Sequence, residues 1–520
     1  MPLLCYGLAM AAQVGGDHGR HSHADDSTDV FYRHLDMSEV TVTGVTGQTK
    51  LRQATAPVSV IRRQELRAMP SANIIDAVSH LPGVSQLTTG GGISKPVIRG
   101  LGYNRVVVMS EGVRQEGQQW GDEHGVEVEG GTVGSVEIIK GPASLMYGSD
   151  ALAGVVIFHP KAVAAEGEMS ADVCTGYHTN NGLFHYSLQM DGNSGGCVWD
   201  ASFSDKMAHA YKNKYDGYVP GSQFRERAGS LRLGVGKRWG HSWVTWTAYH
   251  LTPSIVEGRR DEETGELTLL SGTPKSYSKS LPFQQVKHCK MVWDNAFTLP
   301  AGRLNVIAGY QQNRRQEYDE SYDDCGIYMR LHTLTYDLRY LTDERKGWKL
   351  SAGLGGMYQK SCNKGEEYLV PDSRIFDFGI YATATKTVTD RWTLNGGVRF
   401  DHRRMHGEKG GGRKEEDGGW RFADFTRHFN SVTGSVGAVW NIDGHWNMRM
   451  NIARGFRTPN MSELASNGVH EGSMRYEKGS QQLKAEYSLQ ADLGVDFSSQ
   501  MLSLQLALFA NRIDNYIFTH

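Results

Sequence analysis

The stretch VEIIKGPASLMYGSDALAGVVIF, Val136 to Phe158, reads as strand, turn, helix and strand in quick succession. The apolar run Val136 to Ile139 predicts a short strand, Lys140-Gly141-Pro142 a turn, Ala143 to Tyr147 a single helical turn, and Ala153 to Phe158 a second apolar strand. It holds no group of residues arranged for catalysis. Residues 164–520 then run on in alternating, Gly-rich, strand-like segments that need something to fill them. A small plug followed by a large barrel satisfies both halves.

Upstream, Pro70-Ser71 opens a predicted helix from Ser71 to Leu81, with Ser71 as N-cap. Its apolar stripe is Ile74, Ala77, Val78 and Leu81, and Pro82-Gly83 stops it. Val106 to Met109 predicts a short strand, and Glu111-Gly112-Val113-Arg114 a turn into the polar loop Gln115 to Gly125. Downstream the period is two. Leu502, Leu504, Leu506 and Leu508 alternate with Ser503, Gln505 and Ala507, and Trp446, Met448, Met450 and Ile452 alternate with Asn447, Arg449 and Asn451. One face meets lipid and the other a lumen. A soluble sandwich also alternates, but its strands average about 5 or 6 residues, whereas these run for roughly ten or more.

Connections come in two lengths. Short turns recur at Lys237 to Gly240, Leu299 to Gly302, Thr342 to Gly347, Thr389 to Arg391 and Asn441 to His445. Long polar segments occupy residues 207–222, 254–281, 404–426 and 457–483. Short periplasmic turns alternating with long external loops are what an outer-membrane barrel requires. Counting gives about fifteen strands, an odd open set that would leave edges unpaired in lipid, so the expectation is a barrel cut short.

Composition bounds the rest. The 62 glycines among 520 residues exceed the usual share of about 7%. A net charge of −2 gives no basic excess for nucleic acid. After the first few positions no apolar run is long enough for a membrane helix, and the mean hydropathy is −0.46, values that a membrane barrel with a polar lumen also has. The sequence MPLLCYGLAMAAQ suits the end of a secretory signal cleaved near Ala11 or Ala12, although no basic segment precedes it; a small buried helix is the alternative. Cys5 would leave with the signal. Cys174, Cys197, Cys289, Cys325 and Cys362 remain, without CxxC spacing; Cys325 and Cys362 lie near the same ends of neighbouring predicted strands and are the candidate disulfide, and the others read as buried thiols. There is no GxSxG elbow, no P-loop and no HExxH, since His470-Glu471-Gly472-Ser473-Met474 lacks the second His, so no enzyme is expected.

The stretch from Val136 to Phe158, together with Ser94-Lys95-Pro96-Val97-Ile98-Arg99-Gly100-Leu101 and the segment Ser71 to Leu81, resembles the plug domain of TonB-dependent outer-membrane receptors. The resemblance implies a 22-stranded type of all-β transmembrane barrel, of which about 15 strands are present, around an N-terminal α+β plug. The chain then divides into a signal remnant (1–12), a His/Asp-rich tail (13–37), the plug (38–163) and the barrel (164–520). It implies residence in the outer membrane of a Gram-negative bacterium, in contact with its lipid, and energy from the periplasmic coupling protein TonB. Glu39, Val40, Thr41, Val42 and Thr43 are the segment that either pairs with TonB by strand addition or forms the first plug strand.

The loop Gly117-Gln118-Gln119-Trp120-Gly121-Asp122-Glu123-His124-Gly125 gathers Asp122, Glu123 and His124, and carboxylate with imidazole suits zinc or a similar divalent ion. It resembles the apical loop of the family's zinc-uptake receptors, with Glu123 beside His124 the best match and Asp122 leaving the acidic assignment open. Arg454-Gly455-Phe456-Arg457-Thr458-Pro459-Asn460 through Glu477-Lys478-Gly479 resembles the same receptors and makes His470 the expected loop ligand; a solvated side chain is the alternative. The tail Asp17 to Asp26 carries three His and three Asp in ten residues, either to catch ions after passage or as a plain solvated tail. His288, His332, His402 and His428 read as lumen residues. The expected function is TonB-dependent uptake of a divalent metal ion, zinc first, as cargo and not as resident cofactor. An iron chelate, haem or cobalamin is the alternative, and a surface adhesin stands further back. Neutral imidazole is the ligating form, so uptake is expected to weaken below about pH 6.5.

Overall fold

The computed structural model describes residues 41–44, 47–69, 71–117, 121, 123–256, 258–260, 267–269, 275–413, 420–470, 475–499 and 502–519. The predicted signal remnant, the His/Asp-rich tail, Glu39, Val40 and Asp122 lie outside them.

The stretch around Val136 to Phe158 builds the centre of a five-stranded sheet, ordered Val58–Arg62, Val133–Lys140, Gly154–Pro160, Val106–Ser110 and Val113–Arg114. Val106–Ser110 and Gly154–Pro160 run parallel, and the other neighbours antiparallel. Val136, Ile138, Val155 and Val156 are fully buried, so both faces of these strands are covered and the sequence shows continuous apolar runs in place of alternation. The helical turn is Ser144–Tyr147. Gly154 has φ of +150°, and a Cβ there would sit 2.2 Å from the Ile139 carbonyl oxygen. Only glycine lets these two strands meet.

Two plug expectations change. The helix runs Ile74–Val78, and its N-cap is Asn73, whose side chain accepts from the Asp76 amide at 2.9 Å, while Asp76 reaches back to the Ala72 amide at 3.1 Å. That reciprocal pair starts the helix two residues after Ser71. Glu111-Gly112 is a tight turn, with φ of 55° and 80°, that returns Val113–Arg114 to the sheet edge as a strand.

The barrel strands form one 15-stranded antiparallel sheet in which each pairs with the next of its members along the chain, from Met169–His178 to Ser503–Asp514, and short two-stranded hairpins stand in the long loops between some of them. Strands reach 17 residues, as in Gly302–Tyr318, and the short turns fall where the sequence places them. Leu502, Leu504, Leu506 and Leu508 are each more than half exposed, while Asn447, Arg449 and Asn451 are buried. Aromatic pairs Trp239 with Phe297, Trp392 with Trp440 and Trp446 with Phe497 mark the membrane interface at the short-turn end.

The plug sits against the inner wall. Thr55 bonds Asn395 at 2.6 Å, Arg99 pairs with Asp492 at 2.6 Å, Arg105 with Glu486 at 2.6 Å, and Arg403 with Asp150 at 3.1 Å. Five expectations about single residues fail for one reason, the two-residue period. His332 shares the outward parity of Leu334, and His402 and His428 that of Phe400 and Val432, so these histidines face outward and only His288 faces the lumen. Cys289 keeps the parity of Met291 and Trp293 and is exposed, as is Cys197. Cys325 and Cys362 are free, and the Cys325 thiol donates to the Ile327 carbonyl at 3.1 Å.

Candidate metal centre at the plug apex

Gly121 and residues 123–126 are pinned against the plug strand Ile93–Ile98. The Val126 amide donates to Ser94 O at 2.9 Å, the His124 amide to Gly121 O at 3.2 Å, and Lys95 Nζ donates to the Gly121 carbonyl. This holds Glu123 and His124 toward the long-loop end of the barrel. There Glu317, next to last in Gly302–Tyr318, comes in from the wall.

His124 Nε2 lies 2.9 Å from Glu317 Oε1 and 3.3 Å from Glu123 Oε1, and one ligand atom from each residue falls within 4.8 Å of the others. All three side chains are buried, at 1%, 0% and 2% exposure for Glu123, His124 and Glu317. One imidazole and two carboxylates form a donor set for zinc or a similar divalent ion, three protein ligands with a fourth position left over. Glu317, as an ionised acceptor, places the ring proton of His124 on Nε2. Burial, helped by the charge of Arg315, pushes the His124 imidazole below its usual pKa, against the pull of Glu123 and Glu317.

A polar layer fixes the wall ligand. Gln284 Nε2 donates to Glu317 Oε1 at 3.3 Å, and Arg315 Nη1 donates to Gln284 Oε1 at 2.7 Å. Arg315 Nη2 also donates to the Gly117 carbonyl at 3.2 Å and to Glu127 Oε1 at 3.1 Å, tying barrel to plug on both sides of the loop.

The sequence-predicted residues are thus brought together in part. Glu123 and His124 meet; Asp122 lies outside the described residues. His470 ends the strand Asn467–His470, opposite Arg475 in a hairpin, and its side chain lies outside the described residues, so the cluster is built without it. Thr41–Gly44 pairs with Gly47–Lys50 in a local hairpin, and Val42 is buried. Glu317 and its supports are the residues the sequence reading missed. Their signal was the parity of Leu304, Val306, Ala308 and Tyr310, which, carried upward, turns Gln311, Asn313, Arg315 and Glu317 inward.

Residues 174–520 match the family described as TonB dependent receptor-like, beta-barrel, and residues 50–155 match the TonB-dependent receptor plug domain. The chain belongs to the TonB-dependent receptor family. Among curated relatives, the iron-regulated outer membrane virulence protein of Vibrio cholerae is 22% identical over 480 residues, covering 89% of this chain and 66% of its own. The vitamin B12 transporter BtuB of Photobacterium profundum is 22% identical over 480 residues, covering 90% and 68%. The receptor therefore spans about two thirds of the length of these relatives. Among solved structures, the copper transporter OprC superposes with a TM-score of 0.72 at 15% identity, covering 91% of this chain and 73% of its own, a likeness of fold. Family and lipid-facing barrel put the receptor in the outer membrane of a Gram-negative bacterium, among receptors and not enzymes.

Proposed function

We propose that this receptor takes up a divalent metal ion, zinc first, across the outer membrane, with work supplied through TonB. The observation that carries the reading is the buried cluster of Glu123, His124 and Glu317 at the outer mouth. Two ligands belong to the plug and one to the barrel. An ion held there gives up water for an imidazole nitrogen and carboxylate oxygens, and the ring proton of His124 passes from Nε2 to Nδ1, so that the ligand stays a neutral imidazole. Because the ligand set is divided, force on the plug parts Glu123 and His124 from Glu317 and lowers affinity at the moment of release. Concentrating a scarce ion needs such a step, since the outer membrane offers no nucleotide.

Calorimetric titration of the purified receptor with zinc tests this. Saturable binding that His124→Ala and Glu317→Gln each weaken by about tenfold or more supports it; zinc binding unchanged in both variants contradicts it.

A second reading rests on a cavity of about 260 Å³ beside the plug, lined by Arg114, Arg339, Arg399, Arg403, Tyr147 and Tyr336. Asp337, Asp377 and Asp401 line the same space and pair with Arg339, Arg403 and Arg399, so it is polar and charge-balanced, and with its tyrosines it suits an organic chelate of iron, or haem, held by hydrogen bonds. Relatives named as iron-regulated and as a vitamin B12 transporter favour the same direction. Binding of ferric citrate or haemin with no response to free zinc would select it.

A further inference from the structure

We propose that His288, oriented by Glu127, is a second and inner station for the same divalent ion; the proposal rests on reading the outer cluster as a metal site. His288 is 3% exposed, and its Nδ1 lies 2.8 Å from Glu127 Oε2. The carboxylate is fixed from both sides, with Arg315 Nη2 donating to Oε1 at 3.1 Å and Asn313 Nδ2 donating to Oε2. The Glu127 carboxylate, held as an acceptor by Arg315 and Asn313, accepts the Nδ1–H, while Gln115 Nε2, 2.7 Å from the same nitrogen, donates to the Glu127 main-chain carbonyl at 3.4 Å. The proton placement leaves Nε2 with a lone pair. Among the described residues that Nε2 is buried and has no hydrogen-bond partner. A histidine held at Nδ1 by a carboxylate, with a bare Nε2, is the arrangement in which proteins present imidazole to zinc.

The position fits a relay. Gln284, which bonds Glu317, and His288 lie on the same strand, Phe283–Leu299, with His288 four residues deeper, about 13 Å along it. On the plug, Glu127 follows His124 by three residues in the segment that carries the outer ligands. The bonds Glu317 to Gln284, Gln284 to Arg315, Arg315 to Glu127 and Glu127 to His288 connect the two places without a break. Glu127 also lines a cavity of about 50 Å³, shared with Glu111, Glu129 and Lys290, that continues down the wall to Asp200 and Arg232. The inner station offers fewer ligands than the outer, so it passes an ion on instead of trapping it. Arg315 puts a positive charge between the two, and the ion crosses only when the plug segment shifts.

The test separates ligand from scaffold in the full receptor. His288→Asn keeps an N–H where Nδ1 was, for Glu127, and deletes Nε2; His288→Ala removes both. Zinc titration and radioactive zinc uptake by cells carrying TonB are measured on each. The expected result is zinc affinity of the outer cluster within about twofold of wild type in both variants, with uptake reduced about tenfold in both. Uptake restored by Asn and lost in Ala would show a scaffold role and overturn the proposal, as would wild-type uptake in both. A wild-type receptor that does not bind zinc would overturn the outer-site reading and this proposal together, whereas zinc binding with uptake indifferent to His288 would remove this proposal alone.

Discussion

As a proposed ligand, His124 owes its readiness to being dry. Burial lowers its pKa, so the folded receptor keeps the imidazole neutral at a pH where an unfolded chain already protonates it. Between the lowered pKa and about 6.5 the unfolded state binds the extra proton, so this group's contribution to stability is present above about 6.5 and is lost as pH falls through the folded pKa. The same shift moves proton competition for a bound metal to lower pH than an exposed histidine would show. Zinc affinity measured from pH 7.5 downward is expected to hold past 6.5 before falling, and the decline should vanish in His124→Ala; a midpoint at or above 6.5 would contradict a buried ligand. Glu123 and His124 were legible because they are neighbours in a loop with few other roles. Glu317 was harder to see, because above the lipid both faces of its strand are polar, as in Gln312, Arg314 and Gln316 beside Asn313 and Arg315, and only the parity carried up from Leu304 to Tyr310 tells inside from outside.

Asp150 ends the turn between the helix Ser144–Tyr147 and the strand Gly154–Pro160, and there the plug locks to the wall. Its carboxylate takes Arg114 Nη2 at 2.7 Å from the plug and Arg403 Nη1 at 3.1 Å from the barrel, and these charges hold it well below the usual carboxylate range. Removing one partner of a buried group of charges leaves the others uncompensated. Asp150→Ala is therefore expected to cost about 3–5 kcal/mol, read as a lowered denaturant midpoint of the plug in detergent; an unchanged midpoint would show that the plug is held elsewhere. Gly154→Ala is expected to disturb the same sheet, since its methyl would strike the Ile139 carbonyl, and limited proteolysis of the plug measures it. Strands and turns were legible because period two and Gly-rich turns are local signals. The start of the helix was misplaced because two side chains near its first turn, Asn73 and Asp76, satisfy the open amides better than Ser71 does.

In the molecule as a whole, the plug and the wall each hold part of the proposed cation site. The barrel's outward alternation answers to lipid and its inward polarity to the plug, which is why a chain of mean hydropathy −0.46 spans a membrane. That division was visible in the pattern; the meeting of Glu317 with Glu123 and His124 was not, since it depends on how deep and at what rotation the plug sits. Crystals of the receptor soaked with zinc and measured at the zinc absorption edge test the shared site directly. The expected result is one anomalous peak between Glu123, His124 and Glu317, at about 2.0–2.2 Å from imidazole nitrogen and carboxylate oxygen. Zinc bound with full occupancy elsewhere, and no peak between plug apex and wall, would contradict it.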